Sequence, residues 1–134
     1  MAARYLLDTR ICIYIAKHNP PSVRKRFARH AASELAMSVV SFGELRFGAE
    51  KSQSKERALA TIDQLAALMD VQALPPAAGE FYGKIRASLE KKGRIIGSND
   101  LWIAAHARAA GLVLVTNNVR EFARIEGLEV ENWV

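Results

Sequence analysis

Tyr5, Leu6 and Leu7 form a short apolar run that stops at a carboxylate, Asp8, and apolar character resumes at once in Ile11-Cys12-Ile13-Tyr14-Ile15. A run that is apolar at every position suits a strand buried on both faces, as in the middle of a parallel sheet. An acid that ends such a strand stands at the carboxyl edge of the sheet, where open α/β folds hold their ligands. The chain is therefore expected to wind a parallel sheet around this strand. The functional question is whether other acids reach the same edge.

The remaining sequence alternates as that expectation requires. Arg10 to Lys17 reads as a helix with Ile11, Tyr14 and Ile15 on one face, broken by His18-Asn19-Pro20-Pro21. Ser22 can cap a second helix to about Ala31, its apolar face Val23, Phe27 and Ala31. Its other face carries Arg24, Lys25, Arg26 and Arg29, which suits either a solvated surface or contact with nucleic acid. A strand is expected over Leu35 to Val40, then a helix to Glu50 with Ser41 as cap and Glu44 completing a capping box. Helices follow over about Lys55 to Met69 and Ala77 to Lys92, with a weak strand at Val71 to Leu74 between them. Asp100 opens a small-residue helix, Leu101 to Ala110, apolar nearly all round and so buried. Leu112 to Val115 is a clear strand, followed by a short helix over Val119 to Arg124 and a last strand at Glu129 to Glu131. Strands alternating with helices predict a doubly wound parallel sheet.

At 134 residues, half of them hydrophobic, the chain is read as a single domain over residues 1–134. The one cysteine, Cys12, excludes an internal disulfide and a cysteine-based zinc site, and its apolar neighbours make it a core residue. Asp8 and Arg10 interrupt the first apolar run, so it is not read as a signal peptide, and no uncharged stretch is long enough to span a membrane. The reducing cytoplasm is the expected compartment. The net charge of +5 fits a polyanionic partner. His18 and His30 are expected at the surface and His106 in the core, with none assigned to metal.

Three acids, Asp8, Glu44 and Asp100, stand where a strand ends or a helix begins, and Asn118 and Glu121 follow the strand ending at Val115. Each acid has a purely structural explanation: Asp8 as a helix cap, Glu44 in its capping box, Asp100 in the field of a helix N-terminus. Gathered in one cleft they would repel one another, so that one takes up a proton or a cation neutralises the group. Oxygen donors without cysteine or clustered histidine select Mg²⁺ or Mn²⁺. Such an ion can activate water against a phosphodiester, with Glu44 or Asp100 helping to deprotonate it.

The chain resembles the PIN-domain ribonucleases, and among them the VapC toxins of bacterial toxin–antitoxin pairs. The resemblance is carried by Leu6-Leu7-Asp8-Thr9, Ser41-Phe42-Gly43-Glu44-Leu45-Arg46-Phe47-Gly48, Ile96-Gly97-Ser98-Asn99-Asp100 with Ile103-Ala104-Ala105-His106-Ala107, Leu114-Val115-Thr116-Asn117-Asn118 with Arg120-Glu121-Phe122, and the closing Val130-Glu131-Asn132-Trp133. It implies an α/β three-layer sandwich with a central parallel sheet, and a Mg²⁺- or Mn²⁺-dependent endoribonuclease with tRNA a common target. The family's acids fall on Asp8, Glu44 and Asp100, its fourth position on Asn118, a further acid on Glu121 and a hydroxyl on Thr116. Asp8 and Asp100 are the implied metal ligands. Implied partners are a VapB-like antitoxin, RNA and a second copy of the chain, with operator DNA reached only through the antitoxin.

Two positions depart from the pattern: Arg10 replaces the usual Asn, and Ser98 the usual Pro. Arg10 could pair with Asp8 or Glu44 and compete with metal, or grip the scissile phosphate bidentately. The first outcome would leave a PIN-like module that binds RNA or antitoxin without cutting. A Mg²⁺-dependent phosphoryl-transfer domain is the other alternative, but a haloacid-type site would want an acid where Arg10 stands.

Overall fold

The computed structural model describes residues 2–134. Five strands, β1 (Tyr5–Leu7), β2 (Leu35–Ser38), β3 (Asp70–Gln72), β4 (Val113–Val115) and β5 (Val130–Glu131), form one sheet in the order β3-β2-β1-β4-β5 with every pairing parallel. β1 is central, as its unbroken apolar run predicts, and all three of its residues are buried. Among the described residues there are seven α-helices, α1 (Thr9–Lys17), α2 (Pro21–Ala28), α3 (Val39–Glu50), α4 (Lys55–Ala66), α5 (Ala77–Lys91), α6 (Ser98–Ala110) and α7 (Val119–Phe122), and a 3-10 turn at Ala32–Glu34.

The two-residue period of the strands sorts their side chains between two cores. Tyr5, Leu7, Leu35, Met37 and Val115 face one layer, closed by α1, α3, α4 and Trp133. Leu6, Ala36 and Leu114 face the other, closed by α5, α6 and Phe122. Each fully buried leucine stabilises the fold by about 1.5–3 kcal/mol, so a one-residue slip of β1, which would exchange the two sets, is strongly disfavoured. Cys12 is fully buried, and burial, with the Asp8 charge beside it, holds its thiol protonated. It is a core residue.

Several boundaries differ from the sequence expectation. β2 ends at Ser38, and Ser38 rather than Ser41 caps α3, its hydroxyl accepting from the Val40 amide at 3.2 Å. Val39 and Val40 enter the helix because that hydroxyl supplies a cap at once, so the capping box does not form. α2 begins at Pro21, where a missing N–H costs nothing in the first turn, instead of behind a Ser22 cap. β3 starts one residue earlier and ends two residues earlier than expected, and α6 takes in Ser98, Asn99 and Asp100. His30 is largely covered rather than at the surface: its ring stacks on Trp133 at 5.2 Å and 7°. His18 is exposed and His106 fully buried, as expected. The cationic face of α2 is partly committed: Arg24 donates to the Ile15 carbonyl, and Arg26 pairs with Glu131 at 3.0 Å over the Trp133 ring. No helix among the described residues is long and apolar enough to cross a membrane.

Candidate active site

The register decides what meets at the carboxyl edge. Leu7 pairs with Met37 on one side and Val115 on the other, so the next residues in the three central strands, Asp8, Ser38 and Thr116, stand abreast. All three are buried. α1 and α3 start directly from this edge, and α6 brings its first turn to it.

Asp8, Glu44 and Asp100 line one cleft of about 440 Å³ together with Thr9, Arg10, Ile13, Tyr14, Asn117, Asn118 and Phe122. Asp8 caps α1, Oδ1 accepting from the Ile11 amide at 2.9 Å, and lines the cleft as well. The cap and the site are therefore not alternatives. Burial raises its pKa, against the pull of the Thr116 hydroxyl, the Ile11 amide and the Arg10 charge, with Glu44 adding to the rise. Glu44, the sixth residue of α3, plays no part in capping. Its Oε1 accepts a 2.6 Å bond from the Thr9 hydroxyl, which lies 3.0 Å from the buried Ser41 hydroxyl. Since Thr9 has a single hydroxyl proton and gives it to the carboxylate, Ser41 donates to Thr9.

Asp100 is the third residue of α6. A helix N-terminus favours the anion, yet its pKa is pushed up to about 6, first by burial and then by the charges of Glu121, Asp8 and Glu44. Those three couplings mean that four carboxylates share one electrostatic space, which their separation in sequence conceals. Asn118 is exposed, and its amide donates to Glu121 at 3.1 Å. Thr116 shapes the turn after β4 by accepting from the Asn118 amide at 3.0 Å. Arg10 is exposed and, among the described residues, forms no ion pair with any carboxylate. The pairing with Asp8 or Glu44 that would block the site is not made.

A cluster of three acid, histidine or cysteine side chains close enough to enclose a metal is absent among the described residues. The acids instead line an open cleft. Their chemistry nonetheless fits a hard divalent cation: the donors are oxygens, burial and then the neighbouring carboxylates disfavour the charge on Asp100, and among the described residues no basic side chain is ion-paired with them. Sequence reasoning missed Thr9, Ser41 and Tyr14. For Thr9 and Ser41 the available signal was a hydroxyl beside each of two candidate acids.

A PIN-domain family profile matches residues 5–128. The chain is 43% identical over 131 residues to ribonuclease VapC2 of Haemophilus influenzae, covering 98% of each. It is 46% identical over 130 residues to the tRNA(fMet)-specific endonuclease VapC of Shigella flexneri, covering 97% of this chain and 98% of that one. In a crystal structure of DNA-bound VapBC from Salmonella typhimurium, a chain 40% identical superimposes with a TM-score of 0.92 over 98% of this chain and 99% of its own length. A chain in VapBC2 of Rickettsia felis bound to a promoter fragment does so with a TM-score of 0.91 at 38% identity, covering 97% and 98%. With a parallel sheet that delivers its acids to one edge and relatives matched over nearly their whole length, this chain belongs to the PIN-domain family and, within it, to the VapC ribonucleases of toxin–antitoxin systems.

Proposed function

We propose that this chain, acting as one PIN unit, is a Mg²⁺- or Mn²⁺-dependent endoribonuclease that cleaves RNA of the tRNA class. The carrying observation is that Asp8, Glu44 and Asp100 share one cleft at the sheet edge, where burial and then the charges of Glu121, Asp8 and Glu44 raise the pKa of Asp100 to about 6. Asp8 and Asp100 would hold the cation, with Glu44, Asn118 and Glu121 beside them. The cation, when bound, supplies charge neutralisation and Lewis acidity at the phosphodiester. Glu44, fixed by Thr9, is the group best suited to accept a proton from the attacking water, with Asp100 the other carboxylate at hand. Thr116 steadies Asp8, and unpaired Arg10 is free to take a phosphate through two parallel N–H bonds. That freedom favours an active enzyme over an inert RNA-binding module.

As a VapC-type toxin the chain would be held inactive by a VapB-like antitoxin, reach operator DNA only through it, and work in the cytoplasm. Association into a homodimer belongs to the same proposal, and Phe47, 64% exposed on α3, offers apolar surface for it.

The test is cleavage of purified initiator tRNA by the antitoxin-free chain. Cutting with Mg²⁺ or Mn²⁺, stopped by chelator and by Asp8→Asn, is expected. Cleavage that persists in chelator overturns the metal assignment, and no cleavage with any divalent cation overturns the nuclease reading.

A further inference from the structure

Tyr14 lies one turn after Arg10 on α1 and lines the acidic cleft. Its ring is half-buried, packed against the first core. Each of the other tyrosines and tryptophans already has an aromatic partner: Tyr5 meets His30 and Trp133, and Tyr82 stacks on Trp102 at 3.9 Å. Among the described residues Tyr14 has no ring or cation over it. It is nevertheless held in orientation, because Asn117, in the turn after β4, donates to its hydroxyl at 3.1 Å from 103 positions away in sequence. A ring that only filled the core would need neither an open cleft beside it nor a tether at its tip.

Resting on the ribonuclease reading of the cleft, we propose that Tyr14 is a stacking platform for an unpaired base of the RNA next to the scissile phosphate. Asn117 is the residue that fixes the platform. RNA is recognised chiefly through bases splayed out of the helix and stacked on aromatic side chains, and a ring held in place beforehand loses little freedom on binding. The neighbouring groups divide the work by chemistry. Arg10 offers a cation to the phosphate, Tyr14 a π-face to the base, and the acids stand beside both. Because every base has a π-face, the platform selects an unpaired nucleotide over a duplex more than one base over another.

The experiment measures binding by fluorescence anisotropy in Ca²⁺ buffer, with the oligonucleotide checked for intactness. The probes are a single-stranded RNA decamer and a ribose-phosphate decamer of the same length without bases. Tyr14→Leu, which keeps an apolar side chain on the core, should weaken binding of the RNA about tenfold, within the range of one lost stacking contact. It should leave the abasic probe unchanged. Tyr14→Phe and Asn117→Ala each keep the ring and lose the same tether, so both should weaken binding by a similar, smaller factor, within about threefold of the parent. Equal loss on both probes, no loss with Tyr14→Leu, or a Tyr14→Phe variant as weak as Tyr14→Leu overturns the platform alone. Failure of the unaltered chain to bind either probe overturns the ribonuclease reading and the platform together.

Discussion

Replacing Asp100 by Asn should stabilise the metal-free protein at neutral pH. Its carboxyl sits at the start of α6 with a pKa raised from 3.8 to about 6 by burial and by Glu121, Asp8 and Glu44. A carboxyl whose pKa is higher in the folded than in the unfolded state holds its proton more tightly in the native protein. The native state is therefore favoured at low pH and loses stability as pH rises from about 4 through about 6. Above that window the full penalty applies: about two pH units at 1.36 kcal/mol each, or about 3 kcal/mol. Asp100 is only partly buried, and solvent screening cuts this to about 1–1.5 kcal/mol. Asn keeps the shape and removes the charge. In a chain of this length the gain corresponds to a rise in melting temperature of about 3–6 °C. Thermal melts followed by circular dichroism in chelator, at about pH 7.5 and about pH 4, measure it. The difference should be present at the higher pH and vanish at the lower. A variant that melts at or below the parent at the higher pH, or by the same margin at both, would refute the electrostatic account of the cleft.

Thr9→Val removes the donor to Glu44 while keeping the side-chain shape. A hydrogen bond to a charged group contributes about 1.5–3 kcal/mol, so kcat/KM for RNA cleavage should fall about tenfold or more and return with Thr9→Ser. Equal activity of the Val and Ser variants would show that Glu44 needs no fixing. His106 bridges Ser38, at 2.9 Å, and Gln72, at 3.0 Å, and so ties α6 to the cap of α3. His106→Leu removes the acceptor of the buried Ser38 hydroxyl and the donor to the partly buried Gln72, and should lower the urea midpoint by the equivalent of about 1–3 kcal/mol with the slope unchanged. Burial lowers the His106 pKa. The histidine's contribution is thus present above about pH 6.5 and declines as pH falls below it, and that part of the pH dependence should disappear in the variant.

The sheet was legible because β1 is apolar at every position and stops at Asp8, and because Leu112 to Val115 repeats the pattern before Thr116. Once those strands lie side by side the edge follows, and with it the approach of Asp8, Glu44 and Asp100. What escaped the sequence depended on choices between near-equal neighbours. Ser38 and Ser41 are both good caps, and only the strand register puts Ser38 at the edge and frees Ser41 to face Thr9. Asp100 reads as a helix opener in any sequence. Its raised pKa comes first from burial and then from three acids on other elements, neither of which a local pattern carries. Arg10 left two outcomes open because a guanidinium four or five bonds from the backbone can turn either way, and the structure leaves it unpaired. His30 and Tyr14 were misjudged or passed over for a common reason: each is defined by a partner near the other end of the chain, Trp133 for one and Asn117 for the other.

The most direct test of the shared-cleft claim is calorimetric titration of the antitoxin-free chain with Mn²⁺, run beside Asp100→Asn. Saturable uptake by the parent, lost or weakened at least about tenfold in the variant, is the predicted result. No uptake by the parent, or equal affinity in both, would contradict it.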